Sequence, residues 1–355
     1  MTGINDRVPA SILIIQTAFL GDIVLTSSFL RELRKLCPDA RITLLTTPAG
    51  AEILQPNPWN IDFLVYDKKG KERGFSALMQ KLGEVRARKP DLVFSLHRSV
   101  RSGVMARWSG AREIWGFNEA PARLFYSHQV RRGDREFEAE KNLLMLEKRF
   151  NKKRGDLSPY PELFCTDEEG AIARSLVGEG AYAVFAPSSV WATKRWPADR
   201  FGHLAEKVAR ECGLPVVVAA GATKSERKVV ADLEQAFAAS GGSASMLINL
   251  AGKTSLGVLK AVLKRARFVV CNDSAPLHIA IAMGRPGLAI FGPTVRRQGF
   301  FPLAKENSWD AVENLSLDCR PCGEHGHNRC PKEHFRCMLE IPVNKVFDRV
   351  KRLCQ

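Results

Sequence analysis

Short runs of branched aliphatic residues, separated by stretches of helix length, constrain this chain more than any other feature. Ile12-Leu13-Ile14-Ile15, Ile42-Thr43-Leu44-Leu45, Phe63-Leu64-Val65-Tyr66 and Leu92-Val93-Phe94-Ser95-Leu96 read as strands. Between the first two, Asp22 to Leu36 sets Leu25, Phe29, Leu33 and Leu36 on one helical face, and another helix spans Phe75 to Arg86. Strand alternating with helix implies a parallel sheet covered on both faces, since parallel strands need long crossovers. The pattern loosens between about Asn118 and Leu163, where charged residues dominate and a helix near Glu138 to Phe150 leads into 151–161. A second series starts at Tyr182-Ala183-Val184-Phe185 and continues through a helix from Asp199, the strand Pro215 to Ala220, a helix from Ser225 and the segment Phe268 to Thr294. The expectation is an α/β protein of two Rossmann-like domains, residues 1–175 and 176–340, with parallel sheets facing across a cleft and a C-terminal helix over 341–355.

A chain of 355 residues is long enough for two ordinary cores. No apolar run approaches the ~20 residues that cross a bilayer, and Ile12 to Ile15 is broken by Gln16 and Thr17 too soon for a signal sequence. The expectation is therefore a cytoplasmic protein with no transmembrane segment. A net charge of +15 calls for an acidic partner: nucleic acid, a phosphorylated metabolite or an anionic membrane. The Lys and Arg residues are dispersed, with no nucleic-acid motif, so no nucleic-acid partner is expected.

In open parallel sheets, ligands bind beyond the carboxyl ends of the strands, which directs attention to the loops after Ile15, Phe185, Ala220 and Cys271. In FVVCNDSAPLHIAIAMGRPGLAIFGPT, a buried strand ends at Asn272-Asp273-Ser274, and Pro276 suits a first helical position. The amides of Ala275, Leu277 and His278 would then face a phosphate at a helix start, although a capped helix with nothing bound explains the pattern equally well. Asp22, after Gly21, reads either as a helix N-cap or as a general base, ionised at neutral pH by the helix dipole. The loop 187–197 offers Ser188, Ser189, Thr193 and Lys194 to a diphosphate, or is an exposed basic loop pinned by Trp191 and Trp196. Glu226 stands where an acidic side chain holds ribose hydroxyls in dinucleotide sites, and also where a helix surface is expected.

Cys319, Cys322, Cys330 and Cys337 fall in one segment, 319–337, with His325, His327 and His334. Cys-Arg-Pro-Cys has half-site spacing for a structural zinc, but the second pair is spaced too widely, and free thiols are the alternative. A cytoplasmic setting argues against stable disulfides.

Together, GDIVLTSSFLRELR, TKRWP, NDSAPLHIAIAMGRPGLAIFGPT and CMLEIPVNKVF resemble glycosyltransferase family nine, the lipopolysaccharide heptosyltransferases, most closely the heptosyltransferase II branch. The resemblance covers nearly the whole chain and implies a GT-B fold with an amino-terminal acceptor domain and a carboxy-terminal nucleotide-sugar domain. It implies inverting transfer of heptose from ADP-L-glycero-D-manno-heptose to the lipid A-core acceptor at the inner membrane surface, with no cofactor and no catalytic metal. The family's catalytic Asp matches Asp22, its diphosphate Lys matches Lys194, and its phosphate-loop Asp matches Asp273, followed by Ser274, Ala275, Leu277 and His278. Many members carry Gly where Ala275 or Pro276 stands, and a His where Phe137 precedes Glu140-Lys141-Asn142. Arg98, Arg101 and Arg123 are candidates for gripping acidic groups of the acceptor, or form surface salt bridges. The other readings are a zinc-containing nucleic-acid-binding protein, a sugar-nucleotide epimerase of similar architecture and a non-catalytic nucleotide-sugar binder.

Overall fold

The aliphatic runs of the amino-terminal half form one all-parallel sheet in the computed structural model, which describes residues 8–68, 70–133, 135–305 and 308–355. The chain divides into two compact units, Met1–Pro161 and Glu162–Gln355. In the first, strands β1 (Ser11–Ile15), β2 (Arg41–Thr46), β3 (Ile61–Val65), β4 (Leu92–Ser95), β5 (Glu113–Phe117) and β6 (His128–Val130) lie in the order β3-β2-β1-β4-β5-β6. Helices α1 (Leu20–Leu36), α2 (Pro48–Ile53), α3 (Phe75–Ala87), α4 (Val100–Trp108) and α5 (Glu138–Arg149) complete it. Ile12 of β1 pairs with Ile42 on one side and Leu92 on the other, and the central strands are almost wholly buried because helices cover both faces.

Helices α2 and α4 and strands β5 and β6 are additions to the sequence reading. Six residues give α2 too little length for a periodicity, and it is set instead by Thr47, whose hydroxyl accepts the Gly50 N–H, and by Pro48 at its first position. Strand β6 is a three-residue edge strand inside the stretch that charge alone marked as interdomain.

The second unit repeats the plan. Strands β7 (Ala183–Ala186), β8 (Val216–Val218), β9 (Leu247–Asn249), β10 (Phe268–Asn272), β11 (Gly287–Phe291) and β12 (Trp309–Glu313) are ordered β12-β11-β10-β7-β8-β9, again all parallel. Its helices are α6 (Asp167–Val177), α7 (Ala198–Cys212), α8 (Lys224–Ala239), α9 (Leu256–Arg265), α10 (Ala275–Ala282), α11 (Arg336–Leu339) and α12 (Val343–Cys354). The expected boundary after residue 175 would cut α6. That helix belongs whole to the second unit: Thr166 and Glu169 cap it, it packs on α9, and the fully buried Lys260 of α9 donates to Phe164 O at 2.8 Å.

The apolar face of α12, carrying Val346, Phe347 and Val350, packs beside α7. This brings the last turns of the two helices together, and Cys212 and Cys354 form a disulfide with their Cα atoms 5.7 Å apart, against the expectation that every thiol is reduced. Among the described residues no helix is long and apolar enough to cross a membrane.

Candidate active site

Each sheet has the strand order 3-2-1-4-5-6, in which the connections reverse direction between the first and fourth strands and open a crevice at their carboxyl ends. In the first unit that point lies between β1 and β4. The two loops are tied together there: the Leu96 and His97 amides donate to Ile15 O at 3.1 and 3.2 Å, and His97 Nδ1 lies 2.9 Å from Thr17 Oγ1 and 3.0 Å from Ser102 Oγ. Lys68 Nζ donates to Thr17 O at 2.5 Å. Burial, with Lys68 and Arg98 nearby, lowers the His97 pKa to about 4, so the ring is neutral at pH 7 and serves as a hydrogen-bonding strut.

Asp22 is the third residue of α1, and Phe19 occupies the N-cap. Its pKa is raised to about 7, first by burial and then by the charge of Glu138, against the pull of the Phe19 and Asp22 amides and of Arg132. The expectation of a low-pKa carboxylate is thereby corrected: desolvation and a second carboxylate outweigh the helix start. Glu138 arrives on α5, which packs on α1; it takes a hydrogen bond from Arg132 and has Lys141 Nζ 3.8 Å away. Burial lowers the Lys141 pKa, Glu138 opposes that shift, and Arg132 and Arg98 add to it.

Glu138, Arg132, Lys141 and His97 were missed by the sequence reading. Glu138 is an acidic residue in the first turn of an amphipathic helix, which by itself reads as a dipole partner; nothing in the sequence shows that α1 lies opposite. Of the three expected acceptor arginines, Arg98 lies within electrostatic reach of His97 and Lys141. Arg101 is exposed, with its guanidinium 5.9 Å from the Tyr66 ring centre, and Arg123 is exposed on a 3-10 turn, Arg123–Phe125.

In the second unit the reversal lies between β7 and β10, and Asn272 does the tying. Its fully buried side chain donates to Pro187 O at 2.7 Å and accepts the Trp196 N–H at 3.0 Å, drawing the loop 187–197 over the end of β10. Lys194 Nζ consequently sits 2.6 Å from Asp273 Oδ2, which also accepts the Thr294 hydroxyl at 2.7 Å. Ser188 and Ser189 are buried beside it in sequence, and the Ser188 Oγ is a buried atom with no hydrogen-bond partner. A hydroxyl left in that state costs stability unless something bonds to it.

Several expected donor contacts are rearranged. Ser274 is the N-cap of α10, Ala275 its first residue and Pro276 its second. The Leu277 amide donates to Ser274 O at 3.1 Å while its side chain enters the core, and His278, as the fourth helical residue, falls within the helical ladder. Ser274 and Ala275 are therefore the end-facing amides. The His278 ring is buried with a pKa lowered to about 4, mainly by burial; Asp273 opposes the shift and Lys194 adds to it. Thr193 both donates to His327 O and accepts the His327 N–H, at 2.9 and 2.8 Å. Glu226 is the carboxylate of a capping box, accepting from Thr223 N and Oγ1 and from Gly221 N, so its expected place at a ribose gives way to helix capping.

The cysteine-rich segment frames this site. Arg320 donates to Thr294 O at 2.7 Å and pairs with Glu313 at 2.6 Å, and the Cys322 amide donates to Pro293 O at 2.9 Å. Cys322 Sγ lies 3.1 Å from Cys319 O, Cys319 Sγ lies 3.8 Å from His334 Nε2, and the Phe335 amide donates to Cys330 Sγ at 3.4 Å. Burial, reinforced by neighbouring Cys322, pushes the Cys337 thiol up to about 11. Among the described residues no three His, Cys, Asp or Glu side chains group as the ligands of a metal ion.

Two all-parallel sheets of this strand order, one with a cation, hydroxyls and a helix start at its crevice, define a doubly wound α/β protein. The chain belongs to glycosyltransferase family 9 (heptosyltransferase), whose profile matches residues 76–331. Among curated relatives, lipooligosaccharide heptosyltransferase 2 of Campylobacter jejuni is 24% identical over 94% of this chain and 95% of its own. A family 9 glycosyl transferase of Veillonella parvula has the same fold, with a TM-score of 0.81 at 24% identity, covering 97% of each chain. The ADP-heptose LPS heptosyltransferase II of E. coli follows at 0.75 and 18% identity, over 97% of this chain and 98% of that one. The fold is thus the GT-B fold that the sequence resemblance implied.

Proposed function

We propose that the protein is an inverting glycosyltransferase that moves heptose from ADP-L-glycero-D-manno-heptose to the inner core of lipopolysaccharide, at the cytoplasmic face of the inner membrane. The observation that carries this reading is the Lys194–Asp273–Thr294 cluster, with the unpartnered Ser188 hydroxyl in the same switch-point loop and the start of α10 next in sequence. An ammonium has three donors, and Asp273 takes one, so Lys194 has others for a diphosphate oxygen. The E. coli and Campylobacter proteins carry heptosyltransferase names, the former with ADP-heptose in its description, which supports the donor and acceptor classes.

The chemistry follows from the two crevices. Asp22, with a pKa near 7, is a far better proton acceptor than an ordinary carboxylate and is about half ionised at neutral pH. It removes the proton of an acceptor hydroxyl, whose oxygen attacks the anomeric carbon on the face opposite the departing ADP, inverting that centre. Lys194, the Ser188 hydroxyl and the Ser274 and Ala275 amides stabilise the charge growing on the diphosphate. Arg98, with Arg101 and Arg123, holds acidic groups of the acceptor. No metal takes part in these steps, and chelator treatment leaves the rate unchanged.

A panel of ADP-, UDP- and GDP-sugars in thermal melts tests the donor. ADP-sugars at about 100 times Kd add about 2.7 kcal/mol of stability, and stabilisation by UDP-sugars alone overturns the assignment. Conversion of the nucleotide sugar without any acceptor would make the reaction an epimerisation.

A further inference from the structure

The amino-terminal unit leaves several large apolar side chains in water, and they gather where α3, α4 and the 3-10 turn Arg123–Phe125 meet. Leu124 is 86% exposed, Phe75 at the start of α3 is 77% exposed and Val100 at the start of α4 is 54% exposed, with Met79 and Phe125 also exposed. Helix α3 packs on α4, and α4 on the turn. Tyr66, just after β3, lies between the helices, with Lys81 of α3 6.0 Å and Arg101 of α4 5.9 Å from its ring centre. Gly103 lets the turn approach α4 closely: a Cβ there would fall 2.2 Å from the Ala122 Cβ and 3.1 Å from the Phe125 ring. The starts of α3 and α4 and the turn follow β3, β4 and β5, so these apolar tips leave the carboxyl end of the sheet, as the Asp22 loop does.

Cations interleave with them. Lys71, Arg73, Arg101 and Arg123 are exposed in the same segments. The neighbouring carboxylates are engaged: Asp67 accepts the Gly70 and Lys71 amides, Glu72 pairs with Lys81 at 2.9 Å, and Glu119 accepts the Arg132 amide. Side chains of this size are normally buried, and an apolar cluster ringed by positive charge matches a lipid headgroup layer of negative charge.

We propose that this end of the amino-terminal unit docks on an anionic bilayer, with Phe75, Val100 and Leu124 entering the headgroup layer and Lys71 and Arg73 meeting lipid phosphates, beside Arg101 and Arg123, which the acidic groups of the lipid-linked acceptor engage. The proposal deepens the reading of a lipid-linked acceptor and rests on it only for its biological purpose. The exposed cations beside the apolar tips, with Glu72 held by Lys81 and Asp67 and Glu119 turned onto backbone amides, favour an anionic bilayer over a mixed-charge protein surface.

Flotation of the full chain with vesicles that contain neither sugar donor nor acceptor tests docking separately from transfer. The parent protein binds phosphatidylglycerol-containing vesicles, is not retained by pure phosphatidylcholine, and is released by salt. Phe75→Ser with Leu124→Ser, which changes no charge, lowers the bound fraction by about tenfold or more and keeps the parent melting temperature and its stabilisation by ADP. Binding by the double variant equal to the parent's, or parent binding equal on neutral and anionic vesicles, overturns the proposal. A dimer in light scattering that the double variant disperses, with vesicle binding unchanged, makes a second copy of the chain the occupant and also overturns it.

Discussion

The two units share a strand order, a switch point and even the device that ties their loops, yet they put opposite chemistry at the same place. His97 joins the loops after the first and fourth strands in one unit, and Asn272 does so in the other. In the first unit the helix after β1 carries a carboxylate, Asp22, whose proton affinity is raised by burial and by a second carboxylate. Behind Asn272 stands an ammonium, Lys194, held by a carboxylate and bordered by a helix start. The shared strand order sets where these loops lie, and one or two side chains decide whether a carboxylate or an ammonium stands there.

Separating the two roles is the sharpest test of the comparison. Asp22→Asn keeps the shape and removes the base; transfer falls by about 10²–10⁴-fold while stabilisation by ADP persists, and loss of ADP stabilisation would break the division of labour. The same variant carries a stability signature. Because the folded pKa of about 7 exceeds the ordinary 3.8, the native state binds the extra proton, and Asp22 costs stability progressively as pH rises through that window. Asp22→Asn therefore melts higher than the parent at pH 8, with a smaller difference at pH 4.

Lys194→Ala is the mirror experiment, weakening ADP by about 10–100-fold in calorimetry and leaving the acid limb of the pH profile in place. The tying residues come next. Asn272→Ala strands a buried carbonyl and a buried amide, costs about 1–3 kcal/mol and lowers ADP affinity, whereas His97→Ala lowers transfer without touching ADP binding. The smallest effect is the most specific. Transfer falls as pH drops below about 7, when Asp22 takes up its proton, and Glu138→Gln moves that limb to lower pH by removing a like charge. A lower rate with an unmoved limb would reduce Glu138 to a structural partner of Arg132 and Lys141.

The long amphipathic helices and the buried strands were legible because their periodicity is local: α1, α5, α7 and β1, β4, β7 and β10 lie within a few residues of where the sequence puts them. Short elements were not. Helix α2 and edge strand β6 carry too few residues for a period, and α6 was divided because its packing partner α9 lies far along the sequence. The site shows the same limit. Asp22, Lys194 and Asp273 stood out as polar residues at strand ends, whereas Glu226 and Thr193 looked equally available and are committed to a capping box and to His327.

The sequence by itself determined the class of fold, the family and which polar loops follow the strands, because hydrophobic period, turn residues and motif order are properties of neighbouring residues. Only the tertiary structure decided what those residues can do. The Asp22 carboxyl has a pKa near 7 because packing around the start of α1 desolvates it and α5, packed on α1, brings the charge of Glu138 near. Lys194 has its partner because Asn272 folds one loop over another strand's end. Desolvation and charge act through space, over distances that the order of residues along the chain does not encode.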